Sequence, residues 1–320
     1  MGRFRNSQIG AAAALFLLLG LVYAQDKVFR VDVQLVRLLA TVKNSAGQPV
    51  GDLKQEDFAV YDNGVKQELK VFERHTSQPL SITLLVDTSG STAKDLKYET
   101  ESVTRFLKAL FREGNPEDAL SLYSFNWEIR QHTRFTRNLN LLSHRLKLLK
   151  AEAGTSMYDA IYFASQDLES REGRHVVLVV TDGGDTISSK TYHEALEGLH
   201  RADAVFYAIL VMPITNNPGR NTGGENALTT LSAGTGGKVF LPELAQGMDA
   251  AFDEILRDLR TQYLLAYYPQ NVPPSQNRFH RLEIRTGRKD LRVISRNGYY
   301  GDEDRTGAPG NGRGPNLIRR

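Results

Sequence analysis

Cysteine is absent from this chain of 320 residues. That absence excludes structural disulfides, thiolate metal sites, cysteine nucleophiles and a lipidated cysteine anchor together. A dominant charge is also lacking: 40 Lys and Arg stand against 37 Asp and Glu, a formal balance of +3. With no basic helix and no aromatic-basic interleaving, nucleic acid is excluded as an expected partner. Long hydrophobic runs are scarce as well. The run Ile9 to Val22 follows Arg3 and Arg5 and ends at Val22-Tyr23-Ala24 before Gln25-Asp26. It is short for a membrane-spanning helix, which needs about 20 apolar residues. Its basic, apolar, small-residue order is that of a secretory signal peptide over residues 1–24, cut after Ala24. The chain is therefore expected to be secreted or periplasmic, with no membrane insertion after cleavage; an uncleaved anchor is the alternative. A secreted protein without disulfides relies on its core. Hydrophobic content of 41% permits one, and the length implies about two domains.

The stretch Ser81 to Thr92, SITLLVDTSGST, is an apolar run that breaks off at Asp87 into oxygen-bearing side chains. Six such residues suffice for a buried strand, and Ser, Thr and Gly then turn the chain into a helix. Asp87, Ser89 and Ser91 are thus expected at the C-terminal end of a strand, where open α/β sheets bind ligands. Oxygens alone suit a hard cation. Capping of the following helix is the competing use of the same residues. Two further pieces bear on the choice: Gly154-Thr155-Ser156 precedes a second helix, and Val176 to Val180 ends in Thr181-Asp182-Gly183.

In that order and spacing, the three pieces resemble a von Willebrand factor type A domain, over roughly residues 79–262. The resemblance implies a metal-ion-dependent adhesion site at Asp87, Ser89, Ser91, Thr155 and Asp182. In that family the hydroxyls matching Ser89, Ser91 and Thr155 bind Mg²⁺ directly, and the carboxylates matching Asp87 and Asp182 act mostly through water. Mn²⁺ or Ca²⁺ are the alternative cations. Mg²⁺ takes six oxygens, so an open position is left for an acidic side chain of a partner. The implied partner is a protein ligand presenting Asp or Glu. Asp159 and Asp185, close by in sequence, are expected to serve as caps or to stand exposed to solvent instead.

On either side lie β patterns. Val31, Val33 and Leu35 alternate with polar neighbours, Asp62-Asn63-Gly64 is a hairpin signal, and Val65 to Phe72 reads as the returning strand. About fifty residues bury too little surface to fold alone. Tyr263 to Tyr268, Arg281 to Arg285 and Leu291 to Ile294 supply matching strands. The segments 25–77 and 263–300 are therefore expected to pack as one discontinuous β-sandwich, whose phrases Val50-Gly51-Asp52-Leu53 and Arg296-Asn297-Gly298-Tyr299-Tyr300 resemble those of secreted bacterial proteins with a von Willebrand type A-related domain. Residues 301–320, almost devoid of apolar side chains, are expected to be disordered.

The middle of the chain alternates strands with helices, including one after Thr92–Asp95 and one after Ser156–Asp159, both readable as capping boxes. Glu128 to Phe135 reads as an antiparallel edge. The expected fold class is α/β, a doubly wound, mostly parallel sheet with flanking helices, inserted in or flanked by the sandwich.

Enzyme signatures are incomplete. Ser89 interrupts an Asp-Thr-Gly of the aspartic-protease kind, Gly154-Thr155-Ser156 does not complete G-x-S-x-G, His193-Glu194 lacks a second His, and Gly234-Thr235-Gly236-Gly237-Lys238 is not followed by Ser or Thr. His175, just before a buried strand, reads as structural. The favoured function is a metal-dependent, adhesion-type protein-binding module without enzymatic activity. The alternatives are a metal-assisted hydrolase or accessory subunit of an extracytoplasmic enzyme complex, and a scaffolding use of the sandwich.

Overall fold

The computed structural model describes residues 35–74, 77–211, 222–242, 245–273, 275, 277–301 and 317–319. The signal-peptide reading and the start of the N-terminal β pattern, through Gln34, lie outside the described residues. Four strands open the described chain: β1 (Val36–Lys43), β2 (Phe58–Asp62), β3 (Val65–Gln67) and β4 (Val71–Glu73). Asn63 and Gly64 both take positive φ, 46° and 82°. That is the two-residue turn whose twist matches a hairpin, and it sets Asp62 opposite Val65. The returning strand is shorter than its sequence suggested. β3 stays with β2, whereas β4 leaves for the other sheet and pairs with a strand from the C-terminal segment.

Strands and helices then alternate: β5 (Leu80–Asp87), α1 (Leu96–Glu113), β6 (Ala119–Phe125), β7 (Ile129–Thr136), α2 (Leu139–Lys147), α3 (Met157–Leu168), β8 (Arg174–Thr181), α4 (Tyr192–Arg201), β9 (Ala204–Leu210), α5 (Thr222–Thr235), β10 (Val239–Phe240) and α6 (Ala245–Thr261). The chain closes with β11 (Tyr263–Tyr267), β12 (Phe279–Thr286), β13 (Arg292–Ile294), β14 (Gly298–Tyr300) and β15 (Leu317–Arg319).

The central sheet runs β10-β9-β8-β5-β6-β7-β15. From β10 to β6 it is parallel, and β7 runs antiparallel to β6. β7 is not the edge it was expected to be. Leu317–Arg319 of the tail, expected to be disordered, pairs outside it in parallel, while residues 302–316 lie outside the described set.

β5 sits at the centre because all eight of its residues are buried. Ile82, Leu84 and Val86 pack with Val103, Phe106, Leu107, Phe252 and Ile255 of α1 and α6. On the other face, Leu85 packs with Val177, Val179, Met157, Ile161, Leu199 and Leu228. A strand covered on both faces reads as an uninterrupted apolar run, as this one does. After β5 the chain builds outward on one side through β6 and β7, then crosses to β8 and builds outward on the other. The strand order therefore reverses at β5, and the loops after β5 and β8 diverge from that switch point.

The two flanking segments form two four-stranded sheets, β13-β1-β11-β4 and β14-β12-β2-β3. Each sheet mixes strands from both ends of the chain. Their shared core includes Leu38, Ala40, Val42, Phe58, Val60, Tyr263, Leu265 and Tyr267. The sandwich is tied to the α/β unit by Lys43, whose Nζ lies 2.9 Å from Asp258 and 3.1 Å from Glu254 on α6.

Candidate functional site

Asp87 ends β5 and is fully buried. Its Oδ1 accepts the backbone N–H of Ser89 at 2.8 Å, and its Oδ2 accepts the hydroxyl of Thr181, at the end of β8, at 2.6 Å. The two strands at the switch point are thereby pinned together through the carboxylate. Burial pushes the Asp87 carboxyl up to about 6, against the bonds from Thr181 and Ser89, and the nearby charge of Asp182 adds to the rise.

Ser89 and Ser91 follow on a 3₁₀ turn over Gly90–Lys94, their hydroxyl oxygens 3.0 Å apart. Ser89 is buried and Ser91 exposed. The box expected at Thr92–Asp95 does not form. Thr92 instead turns its hydroxyl back onto the carbonyls of Ser89, at 3.0 Å, and Asp87, at 3.2 Å, which fixes the turn beneath the two serines.

The loop carrying Thr155 is held against both neighbouring loops. Glu152 N–H donates to Thr88 O at 2.8 Å, and Ser156 donates to Asn126 O through N–H and hydroxyl at 2.8 and 2.7 Å. Ser156 therefore does not cap α3 in the expected box. Asp185 does so across the loop, accepting the N–H groups of Met157 at 2.8 Å and Tyr158 at 3.2 Å. Asp159 accepts from Ser189 and Lys190 N–H at 3.0 and 2.7 Å. Asp185 is thus a cap, while Asp159 is buried and holds the loop after β8 instead of standing exposed.

Gly154 has φ +81°, and a Cβ there would meet Trp127 Cβ at 3.1 Å and Ile187 Cδ1 at 3.2 Å. Only glycine fits that backbone and that approach. Trp127 and Ile187 are themselves about half exposed, 48% and 49%, so they form an apolar rim beside Thr155. Asp182 stands half-buried just past β8, its Oδ1 accepting Gly184 N–H at 3.2 Å. A Cβ on Gly184 would lie 3.4 Å from Asp182 Oδ1 and 4.0 Å from Thr155 Oγ1. Those two oxygens therefore converge on one glycine. Residues 87, 89, 91, 155 and 182 all come to the C-terminal edge of the sheet, on the loops after β5, before α3 and after β8.

Sequence reasoning missed two groups here. Thr181 carries no motif of its own and matters only because β8 lies beside β5. Glu99 is the other: on α1 it occupies the face of Leu96, Val103 and Phe106, is fully buried, and has no hydrogen-bond partner for either carboxylate oxygen among the described residues. Burial pushes its carboxyl up to about 8, with the charges of Asp87, Asp95 and Asp182 adding to the rise. The available signal was helical spacing, which puts an acidic residue three after Leu96 and four before Val103 on the apolar face.

A serine–histidine pair lies elsewhere in the sheet. Ser124 Oγ lies 2.8 Å from His132 Nε2 across β6 and β7, but burial and the charges of Arg130 and Arg145 push that imidazole down to about 4. Such a histidine is a weak base near neutral pH. His175 sets its ring nitrogens on the carbonyls of Ala202 and Arg171 and is structural. Among the described residues no three His, Cys, Asp or Glu side chains converge as a ligand set, and no helix is long and apolar enough to cross a membrane.

Residues 82–184 match the von Willebrand factor type A domain family, and this part of the chain is such a domain. No curated protein sequence matches the chain. Among solved structures, it is similar to the conserved hypothetical protein BatB from Bacteroides thetaiotaomicron, at 16% identity over 56% of this chain and 98% of that one, TM-score 0.45. It is similar to the vWF domain of the type V pili tip protein Mfa5 from Porphyromonas gingivalis, at 12% identity over 57% and 96%, TM-score 0.46. The PilB minor pilin from Streptococcus sanguinis is similar at 11% identity over 58% and 62%, TM-score 0.46.

Proposed function

We propose that this protein is a secreted or periplasmic protein-binding module whose capture of a partner depends on a divalent cation, Mg²⁺ in the first instance and Mn²⁺ or Ca²⁺ as alternatives. One observation carries the reading: the oxygen-bearing side chains of Asp87, Ser89, Ser91, Thr155 and Asp182 come together at the switch point of the sheet. The donor set is all oxygen, which suits a hard cation and disfavours softer ones. Asp87 supports the fit independently, because burial beside Asp182 makes its charge costly until a positive charge offsets it.

The division of labour is the one that the resemblance to von Willebrand factor type A domains implies. Ser89, Ser91 and Thr155 would hold the cation through hydroxyls, and Asp87 and Asp182 would act on it mostly through water. Asp87 also orients the serine turn through Ser89 N–H, and Thr181 holds Asp87 in place. A bound divalent cation supplies positive charge with a position open to an outside carboxylate. Trp127 and Ile187 then give an apolar seat for the residues flanking that carboxylate, favouring a protein segment over a bare acid.

The hydrolase reading requires an accessible base at the site. Glu99 is fully buried and His132 is held at low pKa, so neither favours it. Capture from the extracytoplasmic fraction in Mg²⁺, with parallel arms in EDTA and with partner carboxylates amidated, tests the proposal. Capture should be lost in both arms. Full-strength capture in EDTA would sink it.

A further inference from the structure

We propose that Glu99 is a third carboxylate of the cation site, adding negative charge from beneath it, and thus a positioning residue for cation binding with no exposure of its own. The inference rests on the cation-dependent reading above. Its starting point is a cost. Glu99 sits on the apolar face of α1, fully buried, with both carboxylate oxygens unpartnered among the described residues. Ionised, it is an unpaired buried charge; protonated, it leaves a buried O–H without an acceptor. Neither protonation state satisfies the group where it stands.

Its surroundings indicate what does. Of the charges acting on Glu99, the first is Asp87, and Asp182 is among the rest. Both are site carboxylates. Glu99 stands in the first turn of α1, which follows directly on the 3₁₀ turn Gly90–Lys94 that carries Ser91. The buried carboxylate therefore belongs to the helix turn next to the serine turn of the site. A helix position between Leu96 and Val103 would be stabilised by leucine or methionine if it served packing alone. An unsatisfied acid retained beside other acids is the arrangement that a cation relieves. Its contribution is negative charge from outside the ligand set, strengthening the hold on a divalent ion whose nearest donors are neutral hydroxyls.

The test is calorimetric titration of the full chain with MnCl₂ and MgCl₂, comparing wild type with Glu99→Gln and Glu99→Leu, alongside melting temperatures in EDTA. Glu99→Gln keeps the shape and removes the charge. Both variants should lose ten-fold or more in Mn²⁺ affinity while their melting temperatures in EDTA stay level or rise. A purely structural role would not move affinity without moving the metal-free melt. Equal Mn²⁺ affinity in wild type and variants overturns the assignment and leaves the cation-dependent reading standing. A lower metal-free melting temperature in both variants marks Glu99 as a fold residue and also overturns it. Absence of Mn²⁺ and Mg²⁺ binding by the wild type overturns both readings.

Discussion

The hydroxyl of Tyr267 on β11 donates to Oδ2 of Asp62 on β2 at 2.8 Å, across 205 residues of chain. Asp62 is fully buried, and the same carboxylate accepts Tyr299 at 2.8 Å and His280 Nδ1 at 3.0 Å. One N-terminal side chain thus gathers three C-terminal ones and closes the sandwich around the inserted α/β domain. Asp62→Ala should destabilise the protein by about 3 kcal/mol, since it strands several buried donors. Urea unfolding checks this. Mn²⁺ affinity should be unchanged, because the clamp lies in the sandwich, and a parallel loss of affinity would contradict the separation of the two parts.

The N-terminal β segment should not fold by itself. β1 has C-terminal strands, β11 and β13, on both sides, and β4 pairs with β11. Residues 25–77 alone would leave those edges bare and bury too little apolar surface to offset chain entropy. A cooperative thermal transition in that fragment would show the halves to be independent.

Stability of the metal-free protein should fall as pH rises. The Glu99 carboxyl is raised from 4.5 to about 8 in the fold, so folding favours its protonated form. This contribution is fully present below about pH 4.5 and is lost as pH rises to about 8. At about 1.4 kcal/mol per pH unit, an order-of-magnitude ceiling is about 5 kcal/mol. Asp87, raised from 3.8 to about 6, acts in the same sense over a lower window. Urea midpoints in EDTA at pH 5, 6.5 and 8 should decline for wild type and decline less for Glu99→Gln. Parallel profiles would rule out Glu99 as the source.

Asp87→Ala should abolish cation-dependent capture, whereas Ser91→Ala should weaken it several-fold. The aspartate removes charge and frees both Thr181 and the Ser89 turn, while the exposed Ser91 hydroxyl can be replaced in part by water. Circular dichroism should stay near wild type for Ser91→Ala. Equal losses in the two variants would contradict this ranking.

By itself the sequence determined what short-range patterns determine. The uninterrupted run into Asp87 required a strand buried on both faces, and the alternation from Leu80 to Thr261 required a wound parallel sheet. Asn63-Gly64 required the hairpin, because few residues tolerate two successive positive φ angles. The site residues were legible for the same reason: each sits at a strand end or helix start with its own local signature.

Tertiary structure decided which groups meet. Thr181 reaches Asp87 across 94 residues only because β8 lies beside β5. Asp185, not Ser156, caps α3 because the loop after β8 folds over it. β4 changes sheets because β11 offers it an edge, and β15 finds one on β7. Glu99 looks like an ordinary polar residue of a helix until the sheet beneath α1 buries it. Hydrogen-bond partners and burial depend on strand order, and strand order is settled by long-range packing that no local periodicity encodes.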